Sequence, residues 1–463
     1  MSDTRRSSTL SRLLTGRLPG EHSFSFLTRA LQPDESLGVR ATRGVVWNLI
    51  GTTFNQGSTF AANVLLANVL GVRLFGEYAI VQSTISVFSV LGQLAMASTA
   101  TKYVAELRVH HHDRIGRLIG TLGAVSSGMA LVAALLLFMG GPWIATVLLQ
   151  EPGVAGPLRV ASVVLFFAVA NGFLIGALAG LEHFTAIGRV GVIGGSFYLV
   201  AAVAGGMLAE LHGALIGIGL SGLLQLALYW VALRSELHRI GIRLRLGFAE
   251  TDAGILVRFA VPAALNGFVS VPAIWFGNAL LVRQPGGFDS MALFAAANSF
   301  RVLVLFLPNI VNNVNMALIN YQRGVRDSAR FRRVFWVNLA ATLGIVLAGA
   351  TGVTLLAPWL LGLFGPEFAA GQAVLLVLML VTIPESLSLA LRQIIQSHER
   401  LWYAFWGVTV PCYATLAALA WFLIPIMGAR GLAWAYLAAW VLALAANTLM
   451  VRRLGIDIAP RVR

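Results

Sequence analysis

The sequence predicts an all-α integral membrane protein with about 12 transmembrane helices in two six-helix bundles. Three observations carry that expectation. Of 463 residues, 58% are hydrophobic and only 11% charged, with mean hydropathy +0.80, more apolar surface than a water-soluble fold can hide. Apolar runs long enough to cross a bilayer, about 20 residues each, recur along the chain. The chain also resembles itself: Tyr78, Gln82 and Ser83 fall on Phe294, Asn298 and Ser299, an offset of 216 residues.

Taken in order, residues 1–43 are polar and basic and contain no apolar core of signal-peptide length, so they read as a cytoplasmic tail. Twelve spans follow, at 45–69, 78–101, 116–139, 158–180, 185–209, 213–234, 254–282, 291–320, 334–357, 371–395, 402–424 and 430–451. The pieces "GGPWIATVLLQEPG" and "PWLLGLFGPEF" are too short to span and read as interfacial or re-entrant segments. Glycines four apart at 172, 176 and 180, and the run "GALIGIGLSG" (213–222), predict close helix–helix packing.

Charge gives orientation. Of the 33 basic residues one is a lysine, Lys102, and nearly all lie in the tail, the C-terminus and the loops at 102–117, 180–189, 234–258, 321–333 and 392–400. The intervening loops hold only Arg73, Arg159, Arg283 and Arg430. The positive-inside rule then makes both termini cytoplasmic. The net charge of +14 is therefore read as topology signal and contact with anionic headgroups of membrane lipids, with no nucleic-acid partner. A single cysteine, Cys412, excludes a disulfide framework. The triplet "HHH" (110–112) sits in a basic cytoplasmic turn with no cysteine beside it and reads as part of that turn, so neither a metal nor another cofactor is expected. Short loops leave no room for a soluble catalytic domain, which argues against an enzyme.

The repeat extends to "GLEHFTAIG" (180–188) against "SHERLWYAF" (397–405), Glu182 on Glu399. It divides the chain into a tail (1–43), an N-terminal bundle (44–234), a cytoplasmic linker (235–253), a C-terminal bundle (254–453) and a C-terminal tail (454–463). An even number of spans per half gives both halves the same direction. The bundles are then related by a pseudo-two-fold along the membrane normal, with a central cavity between them.

The eighth span is the most unusual. Asn298, Arg301, Pro308, Asn309, Asn312, Asn313, Asn315 and Asn320 fall within an arc of about 160° at helical periodicity. An arginine there costs roughly 2.5–3.5 kcal/mol on insertion scales, so it is paired or functional. Both readings stand: recognition of an anionic headgroup, or a structural salt bridge within an asparagine network. The first span carries Asn48, Thr52, Asn55, Gln56, Thr59 and Asn63, and the seventh Asn266, Ser270 and Asn278, as cavity lining or as helix–helix hydrogen bonds. Glu385, after Pro384, is the deep acid, fit for coupling or for a salt bridge, with Arg301 or locally. Arg392 two turns later and Lys102 are the other cations placed to meet a headgroup, although Lys102 also suits simple snorkelling.

"LANVLGVRLFGEYAIVQSTISVFSVLGQLAMASTATKYVAELR" (66–108), "FLIGALAGLEHFTAIGRVGVIG" (173–194) and "FAAANSFRVLVLFLPNIVNN" (294–313) resemble the polysaccharide biosynthesis flippases, within a superfamily that also holds drug antiporters and lipid II flippases. That resemblance implies a flippase carrying undecaprenyl-pyrophosphate-linked oligosaccharide (O-antigen or exopolysaccharide) across the bacterial inner membrane by alternating access, working with polymerase or export machinery. Pyrophosphate needs a cation at mid-depth and sugar hydroxyls need amide and hydroxyl partners; the residues named above supply both. The alternatives are a cation-coupled multidrug antiporter, a lipid II flippase, and a non-transporting glycan-assembly scaffold.

Overall fold

The computed structural model describes residues 37–453 except 94–95, 111, 246, 248–260, 326–327 and 398–400, and within its helices the side chains of 311–334 are among those outside the description. The expected tails at 1–36 and 454–463, the end of the linker, and the side chains of Asn312, Asn315 and the 110–112 triplet therefore lie outside the described residues.

Among the described residues every regular element is helical. Ten apolar helical runs are long enough to cross a membrane, and two of them, Val46–Arg108 (63 residues) and Phe184–Arg239 (56 residues), are far too long for one crossing. At 1.5 Å per residue they would reach about 80–95 Å, against a hydrocarbon core of about 30 Å. Each folds back on itself. The first turns at Gly71, whose φ of 72° is open to glycine without a Cβ penalty. The second turns at Ala209 and Glu210 (φ −148° and 48°). Splitting both gives twelve candidate crossings among the described residues.

We label them α1 (37–70), α2 (72–93 and Met96–His110), α3 (His112–Trp143), α4 (Ala155–Gly180), α5 (184–208) and α6 (211–239) in the first lobe. The second lobe holds α7 (Val261–Val282), α8 (Gly287–Val325), α9 (Ser328–Leu355), α10 (Gln372–Ser397), α11 (Val410–Met427) and α12 (Ala429–Arg453). The helix of the first span begins at Leu37, inside the stretch expected as tail, because "LGVRATR" holds no proline between the tail and the apolar run. The short apolar pieces are a π turn (Ile144–Leu148) with a 3-10 turn (Pro152–Val154), and a helix (Ala357–Gly362) with a 3-10 turn (Pro366–Gly371).

Helices α1–α6 pack on one another, as do α7–α12, and the lobes meet through α1 and α2 against α7 and α8. Small residues set the spacing within a lobe. A Cβ on Gly176 would stand 2.3 Å from the carbonyl oxygen of Ala97, and one on Gly217 2.0 Å from that of Ala201, so α4 lies directly on α2 and α6 on α5.

The cores show how the lobes are joined. One large apolar cluster crosses between lobes, taking in Phe75 and Ile80 with Phe288, Phe300, Phe364 and Phe368. It sits at the end holding the turns at Gly71 and Gly286, here the closed end. At the opposite end, which holds the arginine-bearing loops, each lobe has its own core: Ile115, Leu122, Leu178 and Leu233 in one, Phe335, Leu391, Ile395 and Val451 in the other. The lobes are thus bolted together at one end and separately packed at the other.

The closed end is tight. Gly76 lies against α8 so closely that a Cβ would stand 2.0 Å from the Phe288 carbonyl oxygen. Phe60 meets Phe300 at 5.3 Å and Phe364 at 6.1 Å between ring centroids, and Phe75 meets Phe368 at 5.8 Å. Gly76→Val is therefore expected to drive the lobes apart at this end. Spin-label distances across the closed end, from α2 to α8, should lengthen relative to the wild type; unchanged distances would show that the contact does not hold the lobes.

Candidate functional site

Asparagine and arginine on α8 lie directly beside the aromatic seal, at Asn298 and Arg301 next to Phe300. Arg301 follows Phe300 and turns into its own lobe. Its Nε donates to Asn298 Oδ1 at 2.8 Å, its Nη1 donates to Glu385 Oε2, and its guanidinium lies over the Tyr436 ring, 5.4 Å from the centroid. The side chains of Arg301 and Glu385 are only 12% and 10% exposed. Pro384 lacks an N–H and so interrupts the hydrogen-bond ladder of α10 just where Glu385 projects. Arg301 and Glu385 are thus a buried ion pair joining α8 to α10, with α12 supplying the aromatic face.

Arg392 has a different setting. Seven residues on from Glu385, about 10 Å along the helix, its Nη2 donates to Thr409 Oγ1 at 3.2 Å. Thr409 in turn donates to Asn266 Oδ1 on α7 at 2.9 Å. The Arg392 Nε is buried and, among the described residues, has no hydrogen-bond partner and no carboxylate paired with it. Thr409 closes a π turn, Phe405–Thr409, at the start of α11, a local widening that often marks functional positions. Arg392 is therefore a mostly buried cation whose donors are largely unused among the described residues, on a hydrogen-bonded chain that leads to α7, a helix at the lobe interface.

The first lobe offers hydroxyls and amides instead of charge. Tyr78 Oη donates to Asn63 Oδ1 at 3.4 Å, Gln82 Nε2 donates to Tyr78 Oη at 2.9 Å, and the hydroxyls of Tyr78 and Tyr198 are 3.3 Å apart. Gln82 is the repeat counterpart of Asn298, so related positions of the two lobes carry the amides of the two clusters. On the side of the aromatic seal away from the closed end, Asn55 on α1 and Asn309 on α8 are exposed, whereas Asn48 is half-buried. Asn278 lies in the seal: it is 5% exposed and its Nδ2 donates across the lobes to Ser83 Oγ at 2.9 Å. Beside it Trp275 Nε1 donates to Thr84 Oγ1 at 2.9 Å. Losing the cross-lobe bond by Asn278→Ala is expected to cost about 1 kcal/mol, seen as a small drop in the melting temperature in detergent.

Lys102 is apart from these clusters. Its side chain is 44% exposed, 4.0 Å from Glu106 Oε1, with the ammonium 5.2 Å from the Tyr103 ring centroid. The structure also gathers residues that sequence reasoning did not name as site residues: Tyr78, Tyr198, Tyr436 and Thr409. A signal existed, because the chain has only eight tyrosines and a phenol within an apolar helix needs a partner for its hydroxyl.

Two lobes joined at one end and separately cored at the other, each holding its own polar clusters, make a two-lobe architecture of the kind found in membrane transporters. The comparison with solved structures agrees: an inward-facing multidrug resistance MATE family transporter of the MOP superfamily superposes with a TM-score of 0.70 over 94% of this chain and 99% of that one, at 13% identity. The chain belongs to the polysaccharide biosynthesis protein family, whose profile it matches over residues 41–321, more than half its length. It is 23% identical to the EPS I polysaccharide export inner membrane protein EpsE of Ralstonia solanacearum, over 76% of this chain and 80% of that protein. It is also 27% identical to an uncharacterized protein of Mycobacterium tuberculosis, a match that spans 60% of each.

Proposed function

We propose that this chain is a flippase that carries an undecaprenyl-pyrophosphate-linked oligosaccharide across the bacterial inner membrane by alternating access, with both termini cytoplasmic. Family membership and the export role in the name of the Ralstonia relative support glycan transport. The observation that carries the substrate class is Arg392, a mostly buried cation with unused donors and no acid partner among the described residues. A site of that kind suits a phosphate-bearing headgroup, which supplies the missing counter-charge. A cationic drug would meet repulsion there, and the acid an antiporter would use, Glu385, is already paired with Arg301.

In this reading Arg392 holds the pyrophosphate, and Asn55, Asn266, Asn298 and Asn309 offer amides to sugar hydroxyls. The prenyl tail stays in lipid. Lys102 and the other arginine-bearing loops attract the headgroup toward the mouth of the cleft. The Arg301–Glu385 pair fixes α8 against α10, so that the second lobe moves as a unit. Transport then rocks the lobes, opening the seal at Gly76, Asn278 and the phenylalanine cluster while the basic ends come together. No bond is made or broken. The glycan would pass to polymerase or export machinery on the far side.

Cells lacking the chain should accumulate lipid-linked oligosaccharide on the cytoplasmic leaflet, measured by its accessibility to an external glycan-modifying reagent in oriented vesicles. Restoring the chain should clear it. Equal leaflet distributions with and without the chain would refute transport and leave the scaffold reading.

A further inference from the structure

The linker between the lobes does not hang free as it leaves α6. It turns at Gly241 (φ 73°) and runs back along α3. The Arg245 N–H donates to the Gly116 carbonyl oxygen at 3.3 Å, and Thr121 Oγ1 donates to the Gly247 carbonyl oxygen at 2.9 Å. Glycine makes the bed: a Cβ on Gly116 would stand 2.1 Å from the Arg243 carbonyl oxygen, and one on Gly120 2.4 Å from that of Arg245. A small-residue face that would ordinarily receive another helix here receives an extended strand of chain.

This strand roofs one end of a cavity of about 470 Å³ between α3, α4 and α6, within the range of about 300–1,000 Å³ usual for small-molecule sites. Its walls include Ala124, Phe166, Phe173, Leu226 and Trp230, with Leu244 and Arg245 at the linker end. The cavity opens outward: Trp230 is 45% exposed, and Ala124 and Ser127 are exposed. The second lobe packs on α1 and α2, so this flank of the first lobe faces lipid. Arg245 is exposed and has no ion-pair partner among the described residues, and Arg117, whose stem reaches the linker at Gly247, has none either. An apolar slot in the bilayer flank, with two guanidiniums unpaired among the described residues at the membrane-surface end, is complementary to an amphiphile bearing one apolar chain in the slot and a phosphate at its rim.

We propose that the cavity binds an anionic phospholipid, with an acyl chain between α3, α4 and α6 and the phosphate on Arg245 and Arg117. The slot suits one acyl chain rather than a long polyprenyl tail. Because Arg245 belongs to the linker, the bound lipid fastens the inter-lobe connection to α3, and this site is separate from the second-lobe clusters around Arg301 and Arg392.

The test is native mass spectrometry of the full-length, delipidated protein titrated with phosphatidylglycerol or with phosphatidylcholine of the same chains. One tight phosphatidylglycerol is expected, with phosphatidylcholine at least tenfold weaker. Arg245→Ala should weaken phosphatidylglycerol at least tenfold, and Ala124→Phe, which fills the slot from an exposed position, should do the same. The lipid-free melting temperatures of both variants should match the wild type. Equal affinity for the two lipids overturns the proposal, as does wild-type phosphatidylglycerol binding by both variants. Displacement of phosphatidylglycerol by an equimolar polyprenyl phosphate would overturn the choice of phospholipid.

Discussion

Glu385→Ala is expected to destabilise the second lobe by about 3–5 kcal/mol, the cost of leaving one member of a buried ion pair alone. The argument rests on the surroundings of Arg301. With Glu385 gone, its guanidinium keeps, among the described residues, the amide oxygen of Asn298 and the face of Tyr436, neither of which neutralises a full charge. Removing both charges should be far milder. Arg301→Met combined with Glu385→Leu leaves an apolar contact between α8 and α10 in place of the pair, and such replacements are often neutral. A thermal-unfolding cycle in detergent reads this as a double variant more stable than Glu385→Ala alone. If Glu385→Ala melts like the wild type, the pair does not hold α8 to α10.

Arg392→Ala should behave in the opposite sense, folding normally and losing transport. Its side chain gives up one hydrogen bond to Thr409, worth about 1 kcal/mol. What it removes from a bound pyrophosphate is a charge-assisted bond of about 1.5–3 kcal/mol, or roughly 10- to 100-fold in affinity. Arg392→Lys keeps the charge but loses the planar fork, so an intermediate loss is expected. Headgroup affinity measured on purified variants checks both; wild-type binding by Arg392→Ala would move the anion site elsewhere.

Much of the fold can be read from the sequence because bilayer constraints are coarse and strong. Twelve apolar runs separated by short basic loops leave little freedom, and even the turn at Gly71 lies between two of the expected spans. The Gln82–Asn298 correspondence also points to matching depths in the two lobes. Pairing is harder to read. Arg301 and Glu385 are 84 residues apart, and an arginine on a polar helix face looks the same whether an acid or a ligand answers it. The asparagines show the same ambiguity: Asn278 binds across the seal, Asn266 completes the Arg392 chain, and Asn55 is exposed, though all three sit on similar polar stripes. An amide is satisfied equally well by a neighbouring helix or by a sugar, so periodicity alone does not separate them. Likewise Gly116 and Gly120 look like a helix-packing face, while the partner they receive is the linker.

The central claim, translocation of a phosphate-linked glycan by lobes that rock about Arg392, is tested most directly in reconstituted proteoliposomes. A fluorescent undecaprenyl-pyrophosphate oligosaccharide placed in one leaflet is followed by its loss of accessibility to an impermeant quencher. The wild-type chain should speed that loss well above protein-free vesicles, and Arg392→Ala should return it close to the protein-free rate. Identical rates for wild type and protein-free vesicles would contradict transport, and a fully active Arg392→Ala would contradict the site.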